Sequence, residues 1–253
     1  KFLNNKDLNT VEKILNKYKS KKEDSESYFY RSRIRYFLFK KLINFQISKL
    51  IDCLTIIRLT KKLKLKNIAN NVLGQKTKLT SIDSYFSKKS NKNVIDWHVD
   101  QAYSGRLNVE SFVNPNFAAL KFFVYLTSVD SDNGCLGYIP KTAKIAYQLK
   151  KDIYNKEIKY RPYWSLKDFR NVIKDESYRK NLEKKIDPNE IENFLNSTSF
   201  IEKEPYNTTK YDYKLDKGGA LIFDESGVHR GSMPSKTDRL VIRFVYKISS
   251  APD

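Results

Sequence analysis

Two runs of alternating residues, Leu120 to Thr127 and Arg239 to Ile248, limit what this chain can fold into more than anything else in it. Successive side chains of a β-strand point to opposite faces, so each run has one wholly apolar face. These faces are Leu120, Phe122, Val124 and Leu126 in the first run, and Leu240, Ile242, Phe244, Tyr246 and Ile248 in the second. The opposite faces carry Lys121, Phe123, Tyr125 and Thr127, and then Arg239, Val241, Arg243 and Val245. Charged groups are costly on a buried face without partners. The arrangement that satisfies both sides has helices outside, against the apolar faces, and a polar cavity inside. Two inward arginines on one strand then need an anionic reason.

At 253 residues the chain suits one large domain, read here as a single catalytic domain over 1–253. Residues 1–80 are mainly helical: Val11, Ile14, Leu15 and Tyr18, then Phe37, Leu38, Leu42, Ile43 and Phe45, recur at helical spacing. Between these groups lies a polar linker, Lys21 to Ser27. The run Tyr28-Phe29-Tyr30-Arg31-Ser32-Arg33-Ile34-Arg35-Tyr36 interleaves aromatics with arginines. It reads as a helix with arginine stems over a packed aromatic face, with stacking on nucleic-acid bases as the competing reading. Strand signals dominate from Ser81, giving a barrel core of 81–144 and 217–248. The intervening 145–216 has helical signals at Leu166 to Ile173 and at Pro188 to Leu195, where Asp187 is suited to cap the helix. It is either a cover that orders over a site or a helical decoration.

Only two histidines are present, His98 in Trp97-His98-Val99-Asp100 and His229 in Gly227-Val228-His229-Arg230-Gly231. A His and an Asp two apart on a strand point to the same side and can converge on one ion, with the distant His completing the set. Two imidazoles, one carboxylate and open positions form the facial arrangement that holds non-haem Fe(II). Arg239 opens the next strand after His229.

The residues around these groups resemble the phytanoyl-CoA dioxygenase family of Fe(II)- and 2-oxoglutarate-dependent oxygenases, over roughly Ser81 to Lys247. The likeness is carried by Asp96-Trp97-His98-Val99-Asp100, by Leu120 to Thr127, by Asp132-Asn133-Gly134-Cys135-Leu136 through Pro140, and by Gly218-Gly219-Ala220-Leu221-Ile222-Phe223-Asp224 through His229 and Arg239. One departure stands out: the family's Pro-Gly-Ser-His loop reads Pro140-Lys141-Thr142-Ala143-Lys144 here. The resemblance implies a double-stranded β-helix, a cupin-like jelly roll of mainly β, α+β class with flanking helices. His98 and Asp100 would lie on an early strand and His229 near the end of a later one. The three residues would bind Fe(II), and Arg239 would hold the far carboxylate of 2-oxoglutarate with forked hydrogen bonds. Phe123 falls where the family carries an aromatic beside the cosubstrate, and Lys121 and Tyr125 share its face. Arg243, further along, is a candidate for an anionic substrate group. The implied activity is hydroxylation of a small anionic metabolite by O2, with release of succinate and CO2. Halogenation is disfavoured, because Asp100 fills the position a halide would need vacant.

Charge supplies the competing hypothesis. Forty-eight Lys and Arg against 29 Asp and Glu give a net charge of +19, which fits an inactive oxygenase scaffold that binds nucleic acid or another polyanion. The excess is mostly Lys spread along the chain rather than Arg gathered at one place, which argues against nucleic acid as partner. A metal-dependent cupin without 2-oxoglutarate is the runner-up among enzymes, and Arg239 argues against it. Cys53 and Cys135 suggest neither a disulfide framework nor a zinc site, and the opening residues lack the apolar core of a signal peptide, so a cytoplasmic setting is the default. Lysines interrupt every apolar run short of the ~20 residues that a membrane span needs.

Overall fold

The computed structural model describes residues 2–31, 47–100, 119–159, 165–203 and 208–250. Helix α1 (Asn5–Tyr18) begins at Asn4, whose side chain accepts from the Asp7 amide, and it buries Leu8, Val11, Ile14 and Leu15 along one stripe. Helices α2 (Ile47–Lys62) and α3 (Leu65–Leu73) follow, the latter ending at Gly74 in the left-handed conformation that glycine adopts freely. They cover one face of a five-stranded antiparallel sheet made of β1 (Ser25–Arg31), β2 (Thr77–Ser87), β4 (Ala119–Tyr125), β6 (Ala220–Asp224) and β8 (Arg239–Ile248), in the order β1-β2-β8-β4-β6.

The two alternating runs are neighbours in this sheet, with Phe122 opposite Phe244 and Lys121 opposite Val245. Their apolar faces, Leu120, Phe122, Val124 and Leu126 with Leu240, Ile242, Phe244 and Tyr246, form one core with Leu8, Val11, Ile14 and Leu15 of α1 and with Ile56, Leu59, Leu65 and Ala69 of α2 and α3. A fully buried side chain such as Phe122 or Phe244 contributes roughly 1.5–3 kcal/mol.

The opposite face of the large sheet closes over a three-stranded antiparallel sheet of β3 (Ile95–His98), β5 (Leu136–Tyr138) and β7 (His229–Gly231), in the order β3-β7-β5. Phe123, Tyr125, Val241 and Phe223 meet Leu136, Cys135 and Val129 between the sheets. The result is a jelly roll with flanking helices. Four helices, α4 (Ala143–Tyr154), α5 (Leu166–Lys174), α6 (Glu176–Leu182) and α7 (Pro188–Ser197), share a second core with Trp97, Val99 and Val228 on the outer side of the small sheet. Asp187 caps α7 ahead of Pro188, and Ser165 and Asp168 form a reciprocal capping box on α5. The insertion also touches both borders of the small sheet through isolated bridges, Ser165 to His98 and Asp212 to Gly137.

One segment differs from the sequence expectation. Tyr28, Phe29, Tyr30 and Arg31 lie in a strand, not a helix, and pair with β2. Aromatic residues favour a pleated surface, and an available sheet edge decides the outcome over local spacing. Ser32 to Tyr36, and the helical pattern from Phe37 to Phe45, lie outside the described residues. Both cysteines are free thiols. Among the described residues no helix is long and apolar enough to cross a membrane.

Candidate metal and cosubstrate centre

His98 ends β3 and His229 opens β7, and the two are directly opposite one another in the antiparallel register. Their rings therefore share a face, with centroids 4.4 Å apart. Asp100 lies not on the strand but in the turn just beyond it, which swings its carboxylate between the imidazoles. Its Oδ1 is 3.5 Å from His98 Nε2 and its Oδ2 is 3.5 Å from His229 Nε2. All three ligand atoms lie within 4.8 Å of one another. Ligands at about 2.0–2.2 Å from a divalent ion sit roughly this far apart, so the donors fit such an ion.

The neighbouring backbone fixes which nitrogens face inward. His98 Nδ1 lies 2.6 Å from the Asp96 carbonyl and His229 Nδ1 lies 2.8 Å from the Gly227 carbonyl. A carbonyl only accepts, so each Nδ1 carries the proton and each Nε2 presents its lone pair to the site. Burial lowers both imidazole pKa values, that of His98 to about 4 and that of His229 well below its ordinary value. Both rings are neutral, as metal ligands must be.

The inward face of β4 supplies a buried cation. Lys121 is 4% exposed, hydrogen-bonds the Asp100 carboxylate and lies 3.4 Å from Glu225. Burial lowers its pKa to about 8. Glu225 is also buried, yet Lys121 and other nearby cations outweigh that burial and hold its pKa below the usual value. Lys121 thus orients the metal-side carboxylate.

Arg239 and Arg243 have opposite fates. Arg243 forks onto Asp83 at 2.7 and 2.9 Å, with Asp83 fully buried, and lies over the Tyr85 ring. Its charge is met within the protein, which removes the expected reason to assign it to a substrate. Arg239 is 4% exposed, has no carboxylate partner among the described residues and has a buried Nε with no acceptor. Its guanidinium lies 5.7 Å from the Tyr125 ring. Phe123 packs on Phe223 at 5.1 Å, and Phe223 packs on His229 at 5.3 Å, so Phe123 is one ring removed from the metal ligands.

The Asn133-Gly134 pair has a role that sequence reasoning did not assign. Asn133 bonds Thr237 and the Ser128 carbonyl, which fixes the turn leading into β8. Gly134 has φ +72, and a Cβ there would lie 2.7 Å from Arg239 Cδ. The glycine is the floor beneath the Arg239 stem. Gly227 is similar: a Cβ would collide with the hydroxyl of Tyr138, the residue opposite His229 in β5. An Asn-Gly ahead of one inward residue and a Gly two before a ligand were the available signals.

The departing loop is held by its own contacts. Lys141, where the family has Gly, holds φ +64. Thr142 Oγ donates to the Ile139 carbonyl at 2.7 Å and accepts from the Val228 amide at 2.8 Å. That hydroxyl straps the loop to the residue before His229.

A facial His-Asp-His set on a jelly roll, beside an arginine that meets no carboxylate among the described residues, defines a non-haem metal and 2-oxo-acid oxygenase centre. Residues 21–241 match the family model for phytanoyl-CoA dioxygenase (PhyH), and the chain belongs to that family, whose cofactors are Fe(II) and 2-oxoglutarate. Solved structures share the fold at low identity. HygX from Streptomyces hygroscopicus, with nickel and 2-oxoglutarate bound, is 12% identical with a TM-score of 0.56 over 98% of this chain and 81% of that one. The epimerase SnoN in complex with Fe3+, alpha ketoglutarate and nogalamycin RO is 14% identical with a TM-score of 0.54, covering 98% and 77%. The alpha ketoglutarate dependent carbocyclase SnoK is 11% identical with a TM-score of 0.52, covering 98% and 77%. No curated protein matches the sequence.

Proposed function

We propose that the protein is an Fe(II)- and 2-oxoglutarate-dependent hydroxylase of a small molecule. The observation that carries this reading is the His98, Asp100 and His229 triad beside Arg239, a buried guanidinium that meets no carboxylate among the described residues. With Fe(II) and 2-oxoglutarate bound, the site would let O2 act as the oxidant, one oxygen atom replacing a C–H bond of the substrate by C–OH and the other entering succinate as 2-oxoglutarate loses CO2. His98 and His229 present their Nε2 lone pairs, held in that tautomer by the Asp96 and Gly227 carbonyls. Asp100 completes the metal face, steadied by Lys121. Arg239 receives the distal carboxylate of the cosubstrate in a forked, charge-assisted pair. Burial raises the pKa of Tyr125, which stays a neutral hydroxyl beside Arg239. Phe123 and Phe223 keep water from the metal side.

Arg243 has no charge to spare for a substrate, so an anionic substrate no longer follows from two inward arginines. The outcome of the reaction is open to direct measurement, since SnoN and SnoK carry epimerase and carbocyclase names on the same fold. Label from isotopic O2 in the product identifies hydroxylation.

Anaerobic calorimetric titration of Fe(II) and then 2-oxoglutarate tests the site. His98→Ala and His229→Ala are expected to lose stoichiometric metal. Arg239→Lys is expected to keep metal and to weaken 2-oxoglutarate by about tenfold or more, because an ammonium cannot reproduce the fork. Stoichiometric metal in both histidine variants, or unchanged 2-oxoglutarate affinity in the arginine variant, overturns the assignment.

A further inference from the structure

Helix α4 is buried on two sides. Ile145, Ala146, Leu149 and Ile153 enter the core shared with the other insertion helices. Tyr147 and Lys150, three apart and so on one face, are also buried, at 6% and 3% exposure. They turn toward Asp224, Glu225 and Ser226, the turn that leads from β6 to the metal ligand His229. Asp224 and Glu225 both act electrostatically on Tyr147 and on Lys150, and the buried Ser226 hydroxyl acts on Tyr147 without a settled hydrogen-bond partner among the described residues.

Lys150 is the anomaly of that face. Its Nζ is buried, yet among the described residues it makes no hydrogen bond and no ion pair; it lies over the Tyr147 ring, with the centroid 5.4 Å away. The carboxylates that act on it are engaged elsewhere. Asp224 Oδ1 accepts from the Ser226 amide at 2.8 Å, and Glu225 lies 3.4 Å from Lys121. A buried ammonium with three unused donors is costly and is retained where something else uses it. Glu225, which acts on Lys150, lies 3.4 Å from Lys121, and Lys121 in turn hydrogen-bonds Asp100, so Lys150 belongs to the same charged group as the metal ligands.

We propose that Lys150, with Ser226 and Tyr147 beside it, is a subsite for one carboxylate group of the substrate. One unmatched ammonium fits a single negative charge, and the Ser226 and Tyr147 hydroxyls supply neutral donors for the second oxygen. This rests on the hydroxylase reading for the identity of the ligand as substrate, whereas the unmatched state of Lys150 stands on the structure alone. The subsite gives the protein an anion preference that does not depend on Arg243.

The test uses the intact protein loaded with Fe(II) and 2-oxoglutarate, so that the Arg239 site is filled, with binding of both confirmed in the same samples. Thermal unfolding is compared for wild type and Lys150→Met. Removing an unmatched buried ammonium is expected to raise the midpoint by about 2–4 °C. A fall in the midpoint shows that Lys150 serves Asp224 and Glu225 as a structural ion pair and overturns the proposal. Propionate and propionamide, matched in size, are then added at equal concentration. Propionate is expected to raise the wild-type midpoint more than propionamide, and Lys150→Met to abolish the difference. Equal shifts in wild type, or a difference that survives in the variant, overturn the carboxylate subsite. Failure of the wild type to bind Fe(II) and 2-oxoglutarate overturns the hydroxylase reading instead, and leaves the unfolding comparison to decide the state of Lys150.

Discussion

The two sheets obey the same alternation but differ in how they are held. In the large sheet β2 and β8 run for 11 and 10 residues and pair along nearly their whole length. In the small sheet β3 has four residues, and β5 and β7 have three each. Ladders so short order few residues per strand, yet they carry both histidine ligands. Their support comes from outside: Trp97, Val99 and Val228 are embedded in the core of the insertion helices. The comparison teaches that this molecule keeps its two histidine ligands on short strands, while the long sheet lends the site Lys121 and Arg239 from its inner face. The long sheet and α1 to α3 form one unit, while the metal centre depends on a packed helical wall that the strand pattern alone does not announce.

The sharpest way to break that division is a pair of core truncations. Phe122→Ala, in the large-sheet core, and Trp97→Ala, between the small sheet and the insertion, are each expected to cost about 3–5 kcal/mol in urea unfolding. Metal affinity of the folded fraction should stay near wild type for Phe122→Ala and fall at least about tenfold for Trp97→Ala, whose residue adjoins His98. Equal metal affinity in the two variants would mean that the small sheet does not need the wall.

Acid supplies a second, smaller contrast in the metal-free protein. Burial depresses the His98 pKa from 6.5 to about 4, so the folded state stays unprotonated where the unfolded chain binds a proton. The sign follows: stability from this group is complete above 6.5 and declines as pH falls toward 4, by up to about 1.4 kcal/mol per unit. His229, depressed in the same direction, adds to the decline. Urea midpoints between neutral and mildly acid pH should show the slope, and His98→Asn should flatten it while Phe122→Ala leaves it in place. A slope unchanged in His98→Asn places the acid sensitivity elsewhere.

The smallest effect belongs to the loop ahead of α4. Lys141 holds φ +64, which costs a side-chain-bearing residue about 1 kcal/mol relative to glycine. Lys141→Gly is expected to be neutral or to stabilise by up to about 1 kcal/mol, with 2-oxoglutarate affinity unaltered. A destabilised variant would show that the lysine side chain supports the loop.

Much of this was legible because it is periodic. The two alternating runs appear as β4 and β8 with their faces as expected, and Asp187 ahead of Pro188 marks α7. The triad was legible because the only two histidines meet. What escaped were long-range pairings. Asp83 lies 160 positions from Arg243, and nothing local in either strand announces their fork. Tyr28 to Arg31 alternate in a way compatible with helix or strand until the edge of β2 decides. Asp100 was expected on a strand, but the strand ends at His98. The apolar spacing of α4 was visible in principle, whereas the isolation of Lys150 is a property of three separate segments.

The bridges from the insertion have a consequence for how the protein behaves in company. A sheet ends in strands whose free amides and carbonyls invite pairing with another chain, and short, flat edges beside a functional site are exposed to that risk. In the small sheet, β3 meets Ser165 and β5 meets Asp212. The segment that walls the metal centre therefore also occupies both borders where a second molecule could add a strand, and its removal would turn a catalytic sheet into a template for self-association.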